Sequence, residues 1–140
     1  MIKSIQIRSL ASIYAMPKIN EEIEQHLTIS SSGRIWLSRY GFSLTSSYPL
    51  LKKEYAKIVK ESADTLFAYL QEYLRHPDNS CVCDAGVWTL TIRYDDRPAL
   101  SISGPMMDQV YVGDVNISDW IRKNIPLKNL MAFGDDGEDA

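Results

Sequence analysis

An apolar stripe with helical spacing is the feature that most constrains the fold of this chain. It recurs every three or four residues and consists of Val59, Ala63, Leu66, Phe67, Leu70 and Leu74. Polar residues such as Glu61, Asp64 and Gln71 fall between these positions, as on the solvent side of an amphipathic helix. Because proline disfavours helical geometry in the residue before it, His76-Pro77 ends the pattern. The sequence therefore predicts one long helix, starting near Lys60, that buries one face.

Segments of alternating apolar and polar residues lie on both sides of this helix. They cover residues 5–13, 26–30 and 34–40 before it, and residues 87–94, 100–102 and 110–112 after it. A period of two is the pattern of a half-buried strand. Ser31-Ser32-Gly33 separates two of these segments and predicts a hairpin, because glycine supplies the positive φ of a tight turn. Residues 50–59 fit a strand or an early helical turn, and we favour a strand or an irregular segment that leads into the helix.

The C-terminal part predicts a shorter helix and an apolar segment that docks on the core. Asn116 or Ser118 is suited to cap this helix, and Pro126 ends it. Strands joined by hairpins and interrupted by one long helix favour an α+β fold. We expect two layers, with a mostly antiparallel sheet, one long packed helix and a short C-terminal helix.

Length and composition indicate a single domain in residues 1–134. The chain has 140 residues, of which 45% are hydrophobic, so it can bury a core without disulfides or metal. Residues 135–140 are acidic, and we expect a flexible tail there. No apolar run reaches the length of about 18 residues that a membrane span needs. The alternating N-terminus lacks the apolar core of a signal peptide, so a cytoplasmic location is expected.

Residue types with catalytic or metal-binding chemistry are few. His76, Asp78, Cys81, Cys83 and Asp84 lie within nine residues of one another. Cys-x-Cys is a weaker zinc signal than Cys-x-x-Cys, and a second pair of cysteine or histidine ligands is missing. His26 is the only other histidine, and no Gly-x-Ser-x-Gly motif accompanies it. We therefore predict no catalytic residue, no metal site and no cofactor.

Charge is divided unevenly along the chain. Residues 1–60 hold nine Lys and Arg against four Glu, a balance of +5, whereas residues 61–140 hold six against fourteen acids, a balance of −8. The basic candidates for partner binding are Arg34, Arg39, Lys52, Lys53, Lys57 and Lys60. The acidic candidates are Asp95, Asp96, Asp108 and Asp114. Segregated charge can orient a partner and raise its association rate.

Aromatic residues are interleaved with the basic candidates. If residues 34–40 form a strand, Trp36 and Tyr40 share one face, and Arg39 lies on the other. Such a face can contact phosphates and stack bases. In the alternative interpretation, both aromatic residues belong to the core and the lysines are ordinary solvated surface.

These features favour a non-catalytic protein-binding module of the inhibitor, immunity or adaptor type. Nucleic-acid binding by the basic and aromatic region 34–60 is the second hypothesis, although the sequence pI of 5.3 counts against it. Complementary charge on two subunits also makes a homodimer possible. An enzyme without a recognisable motif is the third hypothesis. It requires a pocket that holds a carboxylate of raised pKa.

Overall fold

An antiparallel sheet with two helices packed on one face forms the fold. The computed structural model describes residues 1–11, 16–45, 47–75, 86–106 and 110–133. The strands of the main sheet are β1 (Ile2–Ala11), β2 (Glu22–Ser30), β3 (Arg34–Gly41), β4 (Leu50–Lys57), β5 (Gly86–Tyr94) and β6 (Leu100–Pro105). The long helix α1 (Lys60–Arg75) joins β4 to β5, and a small hairpin of β7 (Tyr111–Val112) and β8 (Val115–Asn116) leads into α2 (Ile117–Asn124). The predicted two-layer α+β fold is confirmed.

The order of the strands in the sheet is β4-β3-β2-β1-β5-β6. Each neighbouring pair is antiparallel, and β1 lies between β2 and β5. The two edges of the sheet are therefore β4 and β6. The interpretation of residues 50–59 as a strand is confirmed for β4, which pairs with β3 along its length.

The predicted alternation places the core on one face of the sheet. Trp88, Leu90 and Ile92 of β5 are buried, as are Ile5 and Ile7 of β1. The two helices contribute further buried residues to the same cluster, including Ala63, Leu66, Phe67, Leu70, Ile117 and Ile121. Because apolar burial is the main stabilising term in folding, this inner face holds the two layers together.

The predicted helical stripe is correct except at its first position. Val59 precedes α1 and is 64% exposed. Its carbonyl accepts hydrogen bonds from the amides of Ser62 and Ala63, so it caps the first turn instead of packing. Tyr73, which the spacing missed, is buried near the end of the helix.

The β2–β3 hairpin forms as the sequence predicts. Gly33 has a φ of 93°, and its amide donates to the carbonyl of Ser30 at 3.0 Å. A Cβ at this position would lie 2.1 Å from the carbonyl oxygen of Ile58. Glycine is therefore required twice, by the turn and by the close approach of the end of β4.

The C-terminal segment docks on the inner face, as expected. Asn116 caps α2 by accepting from the amide of Asp119 at 3.2 Å. Phe133 is fully buried, with its ring centroid 4.9 Å from that of Trp88. Gln25 of β2 holds the segment in place, since it donates to the carbonyl of Asn129 and accepts from the amide of Met131, both at 2.8 Å.

Some sequence predictions fall on residues outside the described ranges. They are the cluster of residues 76–84, the end of the first strand at Ile13, the candidate Asp108, and the acidic tail of residues 135–140. Within the described helices, none is long and apolar enough to cross a membrane.

Candidate functional site: the open face of the sheet

One face of the main sheet is left open by both helices. Across β1, β5 and β6 this face carries hydroxyl and amide side chains, together with Arg8 of β1 and Arg93 of β5. Thr89 bonds to Ser103 at 3.1 Å, and Thr91 bonds to Ser101 at 2.9 Å. These four hydroxyls bond to one another across the strands, so they have little spare capacity to bind a partner.

The part of the open face formed by β3 and β4 has a different character. Its residues are Arg34, Trp36, Tyr40, Lys53, Tyr55 and Lys57, which we call the basic-aromatic face. Trp36 lies directly opposite Tyr55, and Arg34 lies opposite Lys57. Residues opposite each other in an antiparallel pair point to the same side. The two rings therefore form a cross-strand pair between cationic neighbours.

The rings of this pair are exposed to solvent. Trp36 is 39% exposed and Tyr55 is 66% exposed. The alternative that placed Trp36 in the core is therefore wrong, whereas Tyr40 is half-buried against the ring of His26 at a centroid distance of 4.6 Å. Tryptophan and tyrosine supply large contact areas at binding surfaces.

The cations of the basic-aromatic face keep their charge available. Among the described residues, no carboxylate forms an ion pair with Arg34, Lys53 or Lys57. Three of the four glutamates in the same half of the chain are engaged by other cations: Arg8 with Glu24, Arg39 with Glu22 and Glu54, and Lys52 with Glu54. The fourth, Glu21, accepts a hydrogen bond from the backbone amide of Lys18. Three cations of the basic half of the chain therefore lie beside the Trp36–Tyr55 pair without a carboxylate partner among the described residues.

Arg39 does not belong to this surface. It lies on the inner face and is 7% exposed, and its guanidinium donates to Glu54 and Glu22 and to the carbonyl of Lys128. The hydrogen bond from Arg39 also lowers the pKa of the Glu54 carboxyl, which keeps the pair ionised. Arg39 therefore ties β3 to its neighbours and to the C-terminal segment.

Two further basic candidates lie away from the face. Lys52 points to the same side as Arg39 and forms an ion pair with Glu54 at 3.5 Å. Lys60 begins α1 and forms an ion pair with Asp64 one turn later, at 3.1 Å. The structure therefore brings together Arg34, Lys53 and Lys57, and it separates the other three.

The acidic candidates are spread over different elements. Asp95 and Asp96 lie in the turn between β5 and β6, where each is within 3.5 Å of the amino group of Met1. A hydrogen bond from Arg97 lowers the pKa of Asp96. Asp114 is exposed in the turn of the β7–β8 hairpin. These carboxylates do not form one contiguous acidic patch.

A second polar cluster on the open face was not found from the sequence. The buried carboxylate of Glu24 accepts from Arg8 Nε at 2.8 Å, and its Oε2 lies 2.6 Å from His26 Nε2. Arg8 and His26 are direct cross-strand partners on β1 and β2. Alternation alone put Arg8 and His26 on polar faces, but their meeting depends on the register between the strands. The cluster borders the basic-aromatic face through the contact of His26 with Tyr40.

The features that the enzyme hypothesis requires do not emerge from the described residues. A hollow of about 430 Å³ lies between the start of β1 and helix α1, and its one carboxylate, Asp64, is paired with Lys60. The described carboxyl groups with a shifted pKa, Glu54 and Asp96, are both shifted downwards. A general acid at neutral pH needs the opposite shift.

The chain matches no known family model, and comparisons with curated proteins and with solved structures gave no match.

Proposed function

We propose that this protein is a non-catalytic protein-binding module, and that its basic-aromatic face binds an acidic surface of a partner protein. The observation that carries the proposal is the exposed Trp36–Tyr55 pair, which lies between the cations Arg34, Lys57 and Lys53. Tryptophan, tyrosine and arginine are the residue types that most often dominate binding energy at protein interfaces.

Contact with a partner would stabilise these residues more than contact with solvent does. Exposed aromatic rings stay in contact with water. Covering them lowers the free energy in proportion to the apolar area that is removed from water. The surrounding lysines and arginine then supply long-range attraction to acidic groups and raise the association rate. Both contributions require the flat, open geometry of β3 and β4.

A neighbouring aliphatic residue favours a protein over a nucleic acid as the partner. Leu50 of β4 lies opposite Tyr40, is 47% exposed and extends the surface beyond the Trp36–Tyr55 pair. Leucine side chains fill protein pockets but do not stack on bases, which is the main interaction at single-stranded nucleic-acid sites. The net charge of −3 also opposes general attraction to phosphates.

Affinity capture with charge-reversed variants tests the proposal. The full chain and the double variant Lys53→Glu/Lys57→Glu are immobilised and exposed to the same cell extract, with and without nuclease. The control is Lys123→Glu, which reverses one charge at an exposed position of α2, outside the face. Quantitative mass spectrometry then compares what each protein retains.

The proposal expects a discrete protein that the full chain and Lys123→Glu retain with nuclease present, and that Lys53→Glu/Lys57→Glu loses. The same protein, once purified, should bind the full chain directly, with an affinity that falls as salt rises. Capture that disappears on nuclease treatment would favour nucleic acid instead. Equal retention by all three proteins would show that the basic-aromatic face is not the binding surface.

A further inference from the structure

The free edge of the sheet lies beside the basic-aromatic face. Among the strands that the structure describes, β4 pairs with β3 alone and is the last strand of the sheet. An edge strand presents a row of backbone amides and carbonyls that can pair with another chain. The pairing of β4 with β3 shows which residues of β4 have free backbone amides and carbonyls.

The register fixes the direction of each backbone group. The amide of Ile58 donates to the carbonyl of Gly33 at 2.9 Å, and Ile35 lies opposite Ala56 in the same register. In an antiparallel pair, hydrogen-bonded positions alternate along each strand. Ala56, Glu54 and Lys52 therefore direct their backbone groups towards β3. The residues between them, Lys53, Tyr55 and Lys57, direct theirs to the free edge.

The residues with outward backbone groups are the same ones that form part of the basic-aromatic face. The side chains of Lys53, Tyr55 and Lys57 lie on the open side, opposite Ser38, Trp36 and Arg34. A strand added to this edge would place every second side chain beside them, at the distance of a cross-strand pair. Its backbone would bond to β4 and its side chains would extend the open face.

A second copy of this chain fits the edge poorly. Suppose that two copies pair antiparallel through β4 with Tyr55 opposite Tyr55 of the other copy. Lys53 of each copy would then lie opposite Lys57 of the other. A register shifted to Glu54 would place the two copies of Glu54 opposite each other. A register shifted to Lys53 would place the two copies of Lys53 opposite each other. Like charges directly opposite each other destabilise a strand pair.

The opposite edge of the sheet lacks these features. Strand β6 carries no charged side chain, and its open-side hydroxyls, Ser101 and Ser103, are already bonded to threonines of β5. Backbone pairing alone gives little selectivity, because specificity in strand addition comes from the alternate side chains. The charge on β4 is what distinguishes the two edges.

We infer that β4 binds an extended acidic segment of a partner protein as an added antiparallel strand. The segment carries acidic residues at positions i and i+4, opposite Lys53 and Lys57, and an apolar or aromatic residue at i+2, opposite Tyr55. This inference rests on the proposed function and specifies how the partner is held.

Synthetic peptides test the inference on the full chain. The probe contains Glu-Thr-Leu-Thr-Glu between threonines, which puts both glutamates and the leucine on one side. The control, Thr-Glu-Leu-Glu-Thr in the same flanks, has the same composition but puts the glutamates on the other side from the leucine. Two N-methylated probes follow. Methylation at the leucine removes an amide that faces β4, and methylation at the next threonine removes one that faces solvent.

Amide hydrogen exchange of the protein reports the mode of binding. The probe should slow exchange at the outward amides of Lys53 and Tyr55 by roughly tenfold or more at saturation. The outward amides of Ser101 and Ser103 on β6 serve as the internal control and should not change. The control peptide and the leucine-methylated probe should have no effect, whereas the threonine-methylated probe should act like the probe itself.

Three results would overturn strand addition. The first is no protection of Lys53 and Tyr55 at any probe concentration. The second is equal binding by the two methylated probes. The third is protection that rises with protein concentration in the absence of peptide, which would identify a second copy as the occupant. If the first or second result appears while Lys53→Glu/Lys57→Glu still loses its partner in the capture experiment, the proposed function stands without strand addition.

Discussion

Arg39 and Glu54 lie on neighbouring strands of the inner face, and the Arg39 Nε donates to the Glu54 carboxylate at 2.5 Å. Glu22 completes the group from β2, with its carboxylate 2.8 Å from the guanidinium. The Arg39 side chain is 8% exposed, so its charge depends on these partners. This group keeps the carboxylates of Glu22 and Glu54 engaged by Arg39, on the side of the sheet away from the basic-aromatic face.

Replacing Arg39 should be costly for stability. Arg39→Met removes the guanidinium that donates to Glu22, Glu54 and the carbonyl of Lys128, and we expect the free energy of unfolding to fall by about 3 kcal/mol. Arg34→Met is the matched control on the same strand and should change it by less than about 0.5 kcal/mol, since Arg34 is exposed. Urea unfolding measures both. A small effect at Arg39 would show that its ion pairs contribute little.

Glu54 should make stability depend on pH in the acid range. Its pKa in the folded protein lies below the ordinary value of 4.5, mainly because of the hydrogen bond from Arg39. A lowered folded pKa contributes stability that is present above the unfolded pKa and is lost as pH falls through the folded pKa. Glu54→Gln should therefore lose less stability than the unaltered chain as pH falls from about 5 to about 3.

A double variant can separate the contribution of Glu54 to the pH dependence of stability from the contributions of other carboxylates. In the Arg39→Met background the largest cause of the lowered Glu54 pKa is gone and only Lys52 still lowers it, so Glu54→Gln should alter the acid dependence of unfolding much less. Denaturant unfolding at several pH values gives the comparison. An unchanged effect of Glu54→Gln in that background would contradict the assignment to Arg39.

Two glycines at positive φ should differ in their tolerance of a side chain. Gly33→Ala places a Cβ against the carbonyl of Ile58, and we expect a loss of more than about 2 kcal/mol. Gly113 has a φ of 60° with nothing within 4 Å of the added Cβ, so Gly113→Ala should cost only the left-handed strain of about 1 kcal/mol. Thermal unfolding of the two variants decides. Equal losses would exclude the close approach at Gly33.

The corrected face of α1 gives a direct stability comparison. Leu66 is fully buried, and Leu66→Ala should lower the free energy of unfolding by roughly 2–5 kcal/mol. Val59→Ala should change it by less than about 0.5 kcal/mol, because this side chain is exposed. A large loss at Val59 would show that the helix begins earlier than Lys60.

Much of the fold followed from local patterns in the sequence. The period-two segments predicted the strands, and the apolar stripe predicted α1, because each pattern reflects a face that has to be buried. The sequence did not reveal which side of β3 is covered. Ile35 and Leu37 alternate with Trp36 and Tyr40, so both faces of this strand look apolar.

The pairing of side chains could not be read from the sequence in the same way. The alternation places Arg39 on the face opposite to Trp36, but its partners depend on how β2, β3 and β4 are aligned. Irregularities in the register between Glu22 and Glu24, and between Arg39 and Tyr40, shift that alignment. The contact of Arg8 and His26 with Glu24 was missed for the same reason. The composition of the basic-aromatic face was therefore predicted only in part.

The most direct test of the binding role is the affinity of the purified partner for a variant without the aromatic pair. Trp36→Ser/Tyr55→Ser should bind that partner at least roughly 30-fold more weakly than the unaltered chain, which corresponds to about 2 kcal/mol. Leu44→Ser/Val59→Ser is the control, because both of its residues are exposed outside the face, and it should bind normally. Isothermal titration with all three proteins gives the answer. Unchanged affinity of the Trp36→Ser/Tyr55→Ser variant would contradict the proposal that the basic-aromatic face is the binding surface.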